Sequence, residues 1–68
     1  MTVAKVIEVV GSSTKSFDDA IQTALNEAAM TVENIVGIDV LGMSGKVEKN
    51  KIVEYKADVK IAFVIKRG

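Results

Sequence analysis

The stretch that decides the fold is Ile52-Val-Glu-Tyr-Lys-Ala-Asp-Val-Lys-Ile-Ala-Phe-Val-Ile-Lys66. Val53, Tyr55, Ala57, Val59, Ile61, Phe63 and Ile65 form an unbroken apolar series at every second position. Glu54, Lys56, Asp58, Lys60 and Lys66 fall on the other parity, with signs that alternate along the chain. Successive side chains of a strand point to opposite faces, so this pattern predicts one long strand with a single face on a core.

Working back from it, residues 35–43 (Ile-Val-Gly-Ile-Asp-Val-Leu-Gly-Met) read as another strand. Strict alternation puts Val36, Ile38 and Val40 on one face and Ile35, Gly37, Asp39, Leu41 and Met43 on the other. Gly42 to Lys46 then opens a flexible, basic connection that lasts to Lys51. Upstream, Phe17, Ala20, Ile21, Ala24, Leu25, Ala28 and Val32 recur at helical spacing and predict a helix from Phe17 to Val32. Asp18, Gln22, Asn26, Glu27 and Glu33 take its solvent side, and the alanines allow a close approach to a sheet. Ser16 with Asp19 has the spacing of a capping box, with Asp for the usual Glu or Gln, and Asn34 suits the C-terminal end. Residues 3–10, rich in β-branched side chains, read as a first strand whose faces are both mostly apolar and both covered. Gly11-Ser12-Ser13-Thr14-Lys15-Ser16 reads as a turn.

The order is β-α-β-β, an α+β chain forming a single domain over residues 1–68. A β-α-β crossover makes the first two strands parallel. The long last strand lies between them, antiparallel to both, which gives the order 1-3-2. One helix covers one face. Nothing remains for the other, which carries Gly37, Asp39, Leu41, Glu54, Lys56, Asp58 and Lys60. The open edges of the outer strands point the same way, toward assembly with copies of the chain.

Composition narrows the function. The chain has no Cys and no His, which removes disulfides, thiolate metal sites and the commonest general base. No triad can be built from what is left, so an enzyme is not expected. Nine basic residues balance nine acidic ones, leaving no electrostatic footprint for nucleic acid and no polybasic membrane patch. Lys5 and Glu8 interrupt any signal-peptide core, and no stretch is long enough to span a bilayer; a cytoplasmic protein is expected. At 68 residues a lone domain is marginal, and self-association is the stabilising device left open. Asp18 and Asp19 read as helix-start carboxylates, Lys46, Lys49 and Lys51 as a solvated basic loop, Tyr55 as core, and Met30 and Met43 as packing residues.

Four segments resemble the dodecin family: Lys5-Val-Ile-Glu-Val-Val-Gly-Ser-Ser13, Ser16-Phe-Asp-Asp-Ala-Ile21, Ala28-Ala-Met-Thr-Val-Glu-Asn-Ile35 and Tyr55-Lys-Ala-Asp-Val-Lys-Ile-Ala-Phe63. They occur in order, with almost no change in length. The resemblance implies a three-stranded antiparallel sheet wrapped around one helix, a hollow homododecamer, and storage or sequestration of a flavin (riboflavin or FMN) between subunits. It also implies the pocket. In flavin-binding members a Trp early in the second strand stacks on the ring, and a Gln just after the Tyr of the last strand bonds its polar edge. Those positions are Gly37, beside Val36, and Lys56, with Glu54 and Asp58 flanking Lys56 on the same face. Losing the stacking partner weakens flavin binding about tenfold or more. Two copies of Lys56 meeting at a two-fold axis call either for an anionic ligand or for pairing with Glu54 or Asp58. The alternative is a structural or ion-binding shell, of calcium type, in which Glu33 and Asp39 join backbone oxygens. No metal ligand set is assigned.

Overall fold

The computed structural model describes residues 3–66. Strand β1 (Val3–Ser13) leads into helix α1 (Phe17–Ala29), which is followed by strands β2 (Ile35–Glu48) and β3 (Lys51–Ile65). The three strands form one antiparallel sheet in the order β1-β3-β2, as the alternation of the last strand requires.

The helix packs on the face of β3 that carries Ala57, Val59 and Ile61, all 0% exposed. Ala20, Ala24 and Ala28, one turn apart, form the contact stripe, with Ile21 and Leu25 half-buried beside it. Ile7 and Val9 from β1 and Ile35 from β2 complete the cluster. Phe17, at the helix start, meets Tyr55 edge-on with ring centroids 4.9 Å apart and an interplanar angle of 81°. The closeness of helix and sheet depends on Gly11. A Cβ there would lie 2.2 Å from the carbonyl oxygen of Ala20 and 2.8 Å from Cβ of Ala24. Gly11 is therefore a residue of close approach inside a strand. The turn expected from Gly11 to Ser16 shrinks to the residues after Ser13, since β1 pairs with β3 as far as Ser13↔Tyr55.

Ser16 caps the helix, its hydroxyl accepting from the Asp19 amide at 3.0 Å. The Asp19 carboxylate does not return to Ser16 as a full capping box would; it accepts from the Ser13 hydroxyl at 2.6 Å. Ser13 Oγ in turn accepts from the Lys15 amide at 2.9 Å. The helix ends at Ala29 with Met30 as its C-cap, short of the expected Val32. The amides of Thr31 and Val32 both bond the Ala28 carbonyl, tightening and ending the last turn just before two residues with weak helix preference. Asn34 is not the cap. It takes the left-handed conformation (φ 61°) that redirects the chain into β2.

Strand β2 departs most from its expected course. It continues through the segment expected to be a flexible connection and reaches Glu48. A two-residue turn at Lys49 and Asn50, both with positive φ (52° and 64°), joins it to β3. Register shifts fall between Ile35 and Gly37, between Val40 and Gly42, and between Lys46 and Val47. Each inserts a residue and resets the parity. Ile35 and Met43, read by strict alternation as sharing a face with Gly37 and Asp39, instead pair with Phe63 and Ala57 on the helix side.

Beyond Ser13↔Tyr55 the sheet narrows to a two-stranded arm, and the described residues extend 54 × 19 × 13 Å. The arm's large apolar residues are open: Val47 is 60% and Ile52 48% exposed.

Candidate functional site

Register assigns every residue of the face opposite the helix. Cross-strand partners share a face, and Val59 and Ile61 point to the helix, so the intervening residues of β3 point away from it. Four rows cross the sheet in succession: Val6–Ala62–Gly37, Glu8–Lys60–Asp39, Val10–Asp58–Gly42 and Ser12–Lys56–Ser44. Lys46–Glu54 follows on the arm.

The pocket positions implied by the resemblance fall on this face, as alternation indicated for Gly37, Glu54, Lys56 and Asp58. Gly37 has open space around it: an added Cβ would meet only Cβ of Ala62, at 3.9 Å, an ordinary contact. Val36 occupies the irregularity beside it and is 66% exposed. Lys56 Nζ lies 3.7 Å from the Glu54 carboxylate in the same chain, both side chains well exposed. Such a pair contributes about 0–1 kcal/mol, but it occupies the ammonium group. Facing Asp58 from β2 is Gly42, where an added Cβ would meet nothing within 4 Å.

Gly37 and Lys56 share a face without sharing a pocket in one chain. Ala62, the partner of Gly37, lies six positions along β3 from Lys56. At about 3.4 Å per residue the separation is roughly 20 Å. The aromatic residues of the sheet belong to the other face: Tyr55 and Phe63 have the parity of Val59 and Ile61.

Sequence reasoning overlooked Glu8. The first strand was expected to be covered on both sides, yet its outer residues are open, with Val6 56% and Val10 65% exposed. The signal was its parity: Glu8 lies between Ile7 and Val9, both of which pack toward the helix. Glu8 is held above its ordinary carboxylate value, chiefly by a hydrogen bond and charge repulsion with Asp58, while Lys60 pulls the other way. Asp58 Oδ1 is shielded from solvent and has no hydrogen-bond partner among the described residues. Among the described residues, no group of three or more acidic side chains gathers as a metal-ligand set, so Glu33 and Asp39 stand outside any such cluster. Among the described residues a single chain encloses no cavity there, and no helix is long and apolar enough to cross a membrane.

A single alanine-lined helix on one side of a β-α-β-β sheet leaves the other side bare within the chain. The model of the dodecin family matches residues 3–66, and the chain belongs to that family. A dodecin variant from Thermus thermophilus superposes with a TM-score of 0.94 at 27% identity, over 98% of this chain and 100% of that one. Dodecin from Streptomyces davaonensis gives 0.92 at 24% identity, covering 97% of each. The calcium dodecin of Mycobacterium tuberculosis, described as a calcium-chelating antigen with a novel calcium-binding site, gives 0.81 at 24%, over 97% of this chain and 94% of that one. No curated protein sequence matches the chain.

Proposed function

We propose that this chain assembles into a dodecin-type dodecamer in the cytoplasm and holds a flavin-type ligand between copies, without performing chemistry on it. The observation that carries the reading is the roughly 20 Å between Gly37 and Lys56 on one uncovered face. A ring system of flavin size cannot touch both in one chain, so only a second copy makes a pocket that uses them. The small core agrees: Val59 and Ile61 are the largest fully buried side chains, while Val10, Val36, Met43 and Val47 remain more than half exposed. A two-stranded arm of this kind is marginal alone and is stabilised by a neighbour.

The residues accommodate a flavin in space better than in chemistry. The opening at Gly37 admits a flat ring. No aromatic residue of the described sheet shares that face, and Lys56 offers donors without an acceptor and is engaged by Glu54. Affinity is therefore expected about tenfold or more below that of a site with a stacking Trp. Sequestration follows from burial of the ring between copies, which limits its free concentration.

Native mass spectrometry on freshly purified protein, with no cofactor added, tests the proposal. A peak at the dodecamer mass with increments of riboflavin or FMN supports it. The same shell carrying calcium, or nothing, favours an ion-binding or purely structural shell over flavin storage. A monomer or dimer removes the pocket between copies and the proposal with it.

A further inference from the structure

Two carboxylates from different strands lie beside each other on the uncovered face, and they are not equivalent. Asp58 Oδ1 is shielded and unpartnered. Glu8 is exposed and lies one row away on β1, diagonal to Asp58 across the strand pair, a spacing that long side chains can bridge. Directly across from Glu8 is Lys60 of β3, and beyond Lys60 in the same row is Asp39 of β2. Lys56, the next lysine along β3, is drawn to Glu54. The helix packs on the opposite face and brings no group to this one. Glu8 and Asp39 thus both lie one row from Asp58, on β1 and β2; Glu8 has the longer side chain and is the one that interacts with Asp58, and a carboxyl group donates only when protonated.

We propose that Glu8 and Asp58 form a proton-operated pair that makes this sheet face responsive to pH. When Glu8 carries a proton, its hydroxyl donates to Asp58 and satisfies the orphaned oxygen in a charge-assisted bond. When Glu8 is ionised, two like charges face each other and the oxygen loses its donor. From the Glu8 row to the Lys46–Glu54 row, the face carries four carboxylates (Glu8, Asp39, Glu54, Asp58) against three lysines (Lys46, Lys56, Lys60). One proton on Glu8 brings that surface to balance. The inference requires no ligand, so it stands or falls separately from flavin storage.

The direction of the pH effect follows from linkage. A carboxyl raised above its reference value of 4.5 binds its proton more tightly in the folded state. Its penalty is absent below that reference value, grows as pH rises toward the raised folded value, and is constant above it. The test is thermal unfolding of the full chain from about pH 4 to about pH 8, comparing wild type, Glu8→Gln, Asp58→Asn and the double variant. Gln places a permanent donor where the protonated acid would be. Glu8→Gln is expected to melt higher than wild type at the alkaline end, with the gap closing toward the acid end. In the Asp58→Asn background the same change is expected to produce no pH-dependent gap. A gap that stays constant with pH, or a wild type that melts higher than Glu8→Gln at the alkaline end, would overturn the proposal. So would a gap that survives Asp58→Asn.

Discussion

The two faces of β3 are made from neighbouring residues and obey opposite rules. On the helix side Ala57, Val59 and Ile61 are fully buried against Ala20, Ala24 and Ala28, and at Gly11 of the neighbouring β1 a methyl group would run into the Ala20 carbonyl. On the outer side Lys56 lies between two serines, Asp58 between Val10 and Gly42, and Lys60 between Glu8 and Asp39, and space is plentiful at Gly37 and Gly42. The first face is closed within one chain where the helix lies over Ala57, Val59 and Ile61, while toward β2 it stays open, with Val40 43% and Met43 56% exposed. The second is left for something outside it. In this fold, then, substitutions on the helix side should read out as stability, while those on the outer side should read out as binding, assembly or pH response.

The sharpest way to break that division is a pair of identical changes. Gly11→Ala forces a Cβ into the Ala20 carbonyl, backbone against backbone, where nothing can swing aside. The expected loss is about 3 kcal/mol or more, seen as a large fall in Tm or failure to fold. Gly42→Ala adds the same methyl group to a strand position open for 4 Å around. It is expected to be neutral or to gain up to about 1 kcal/mol, because alanine loses less chain freedom than glycine in a strand. Chemical denaturation of both variants measures the contrast. Equal losses would mean that the outer face is as tightly filled as the inner one.

Next in size is a gain of function on the bare face. Gly37→Trp places an indole where an added Cβ meets only Cβ of Ala62 at 3.9 Å. Flavin affinity, read by quenching of flavin fluorescence, is expected to rise about tenfold or more, with little change in Tm. An unchanged affinity would show that the pocket between copies lies elsewhere on the sheet.

The contrast between faces also explains what could be read from the sequence. The long last strand, the alanine stripe and the strand order were legible because each rests on a periodic pattern that a single chain satisfies. Residues 42–51 were not, because glycine, serine and lysine have the composition of a loop; what holds Gly42 to Glu48 in a strand is pairing with β3. The parity of Ile35 and Met43 failed at bulges, which add a residue without changing the composition. Gly11 was misread since a glycine required by a neighbouring helix looks the same as one required by a turn. The positions of Gly37, Lys56 and Asp58 on one face were legible from alternation. Their separation along the sheet was not, as it depends on register. Glu8 was missed for a related reason: its neighbour is Asp58, fifty residues further along the chain.

A smaller effect probes the edge of the finished region. Ser16→Ala removes the acceptor of the Asp19 amide, 3.0 Å away, at the helix N-terminus. The cost should be about 1 kcal/mol, measurable as a modest drop in the denaturation midpoint with flavin affinity unchanged. A simultaneous loss of ligand binding would show that the helix start and the outer face are coupled through the sheet.

The smallest expected effect lies wholly on the outer face and isolates its chemistry from its stability. Glu54→Gln removes the charge 3.7 Å from Lys56 Nζ while keeping the side chain's shape. An exposed pair of this kind contributes little, so stability is expected to change by less than about 0.5 kcal/mol. The consequence should appear in ligand choice, because the change frees the Lys56 ammonium group. If Lys56 faces the bound molecule from a second copy, the variant should favour FMN over riboflavin relative to wild type. That preference should weaken as salt is raised, as an interaction of exposed charges does. If the ratio of the two affinities stays where it was, Lys56 does not face the ligand, and the charged rows of the sheet serve only contacts between copies of the chain.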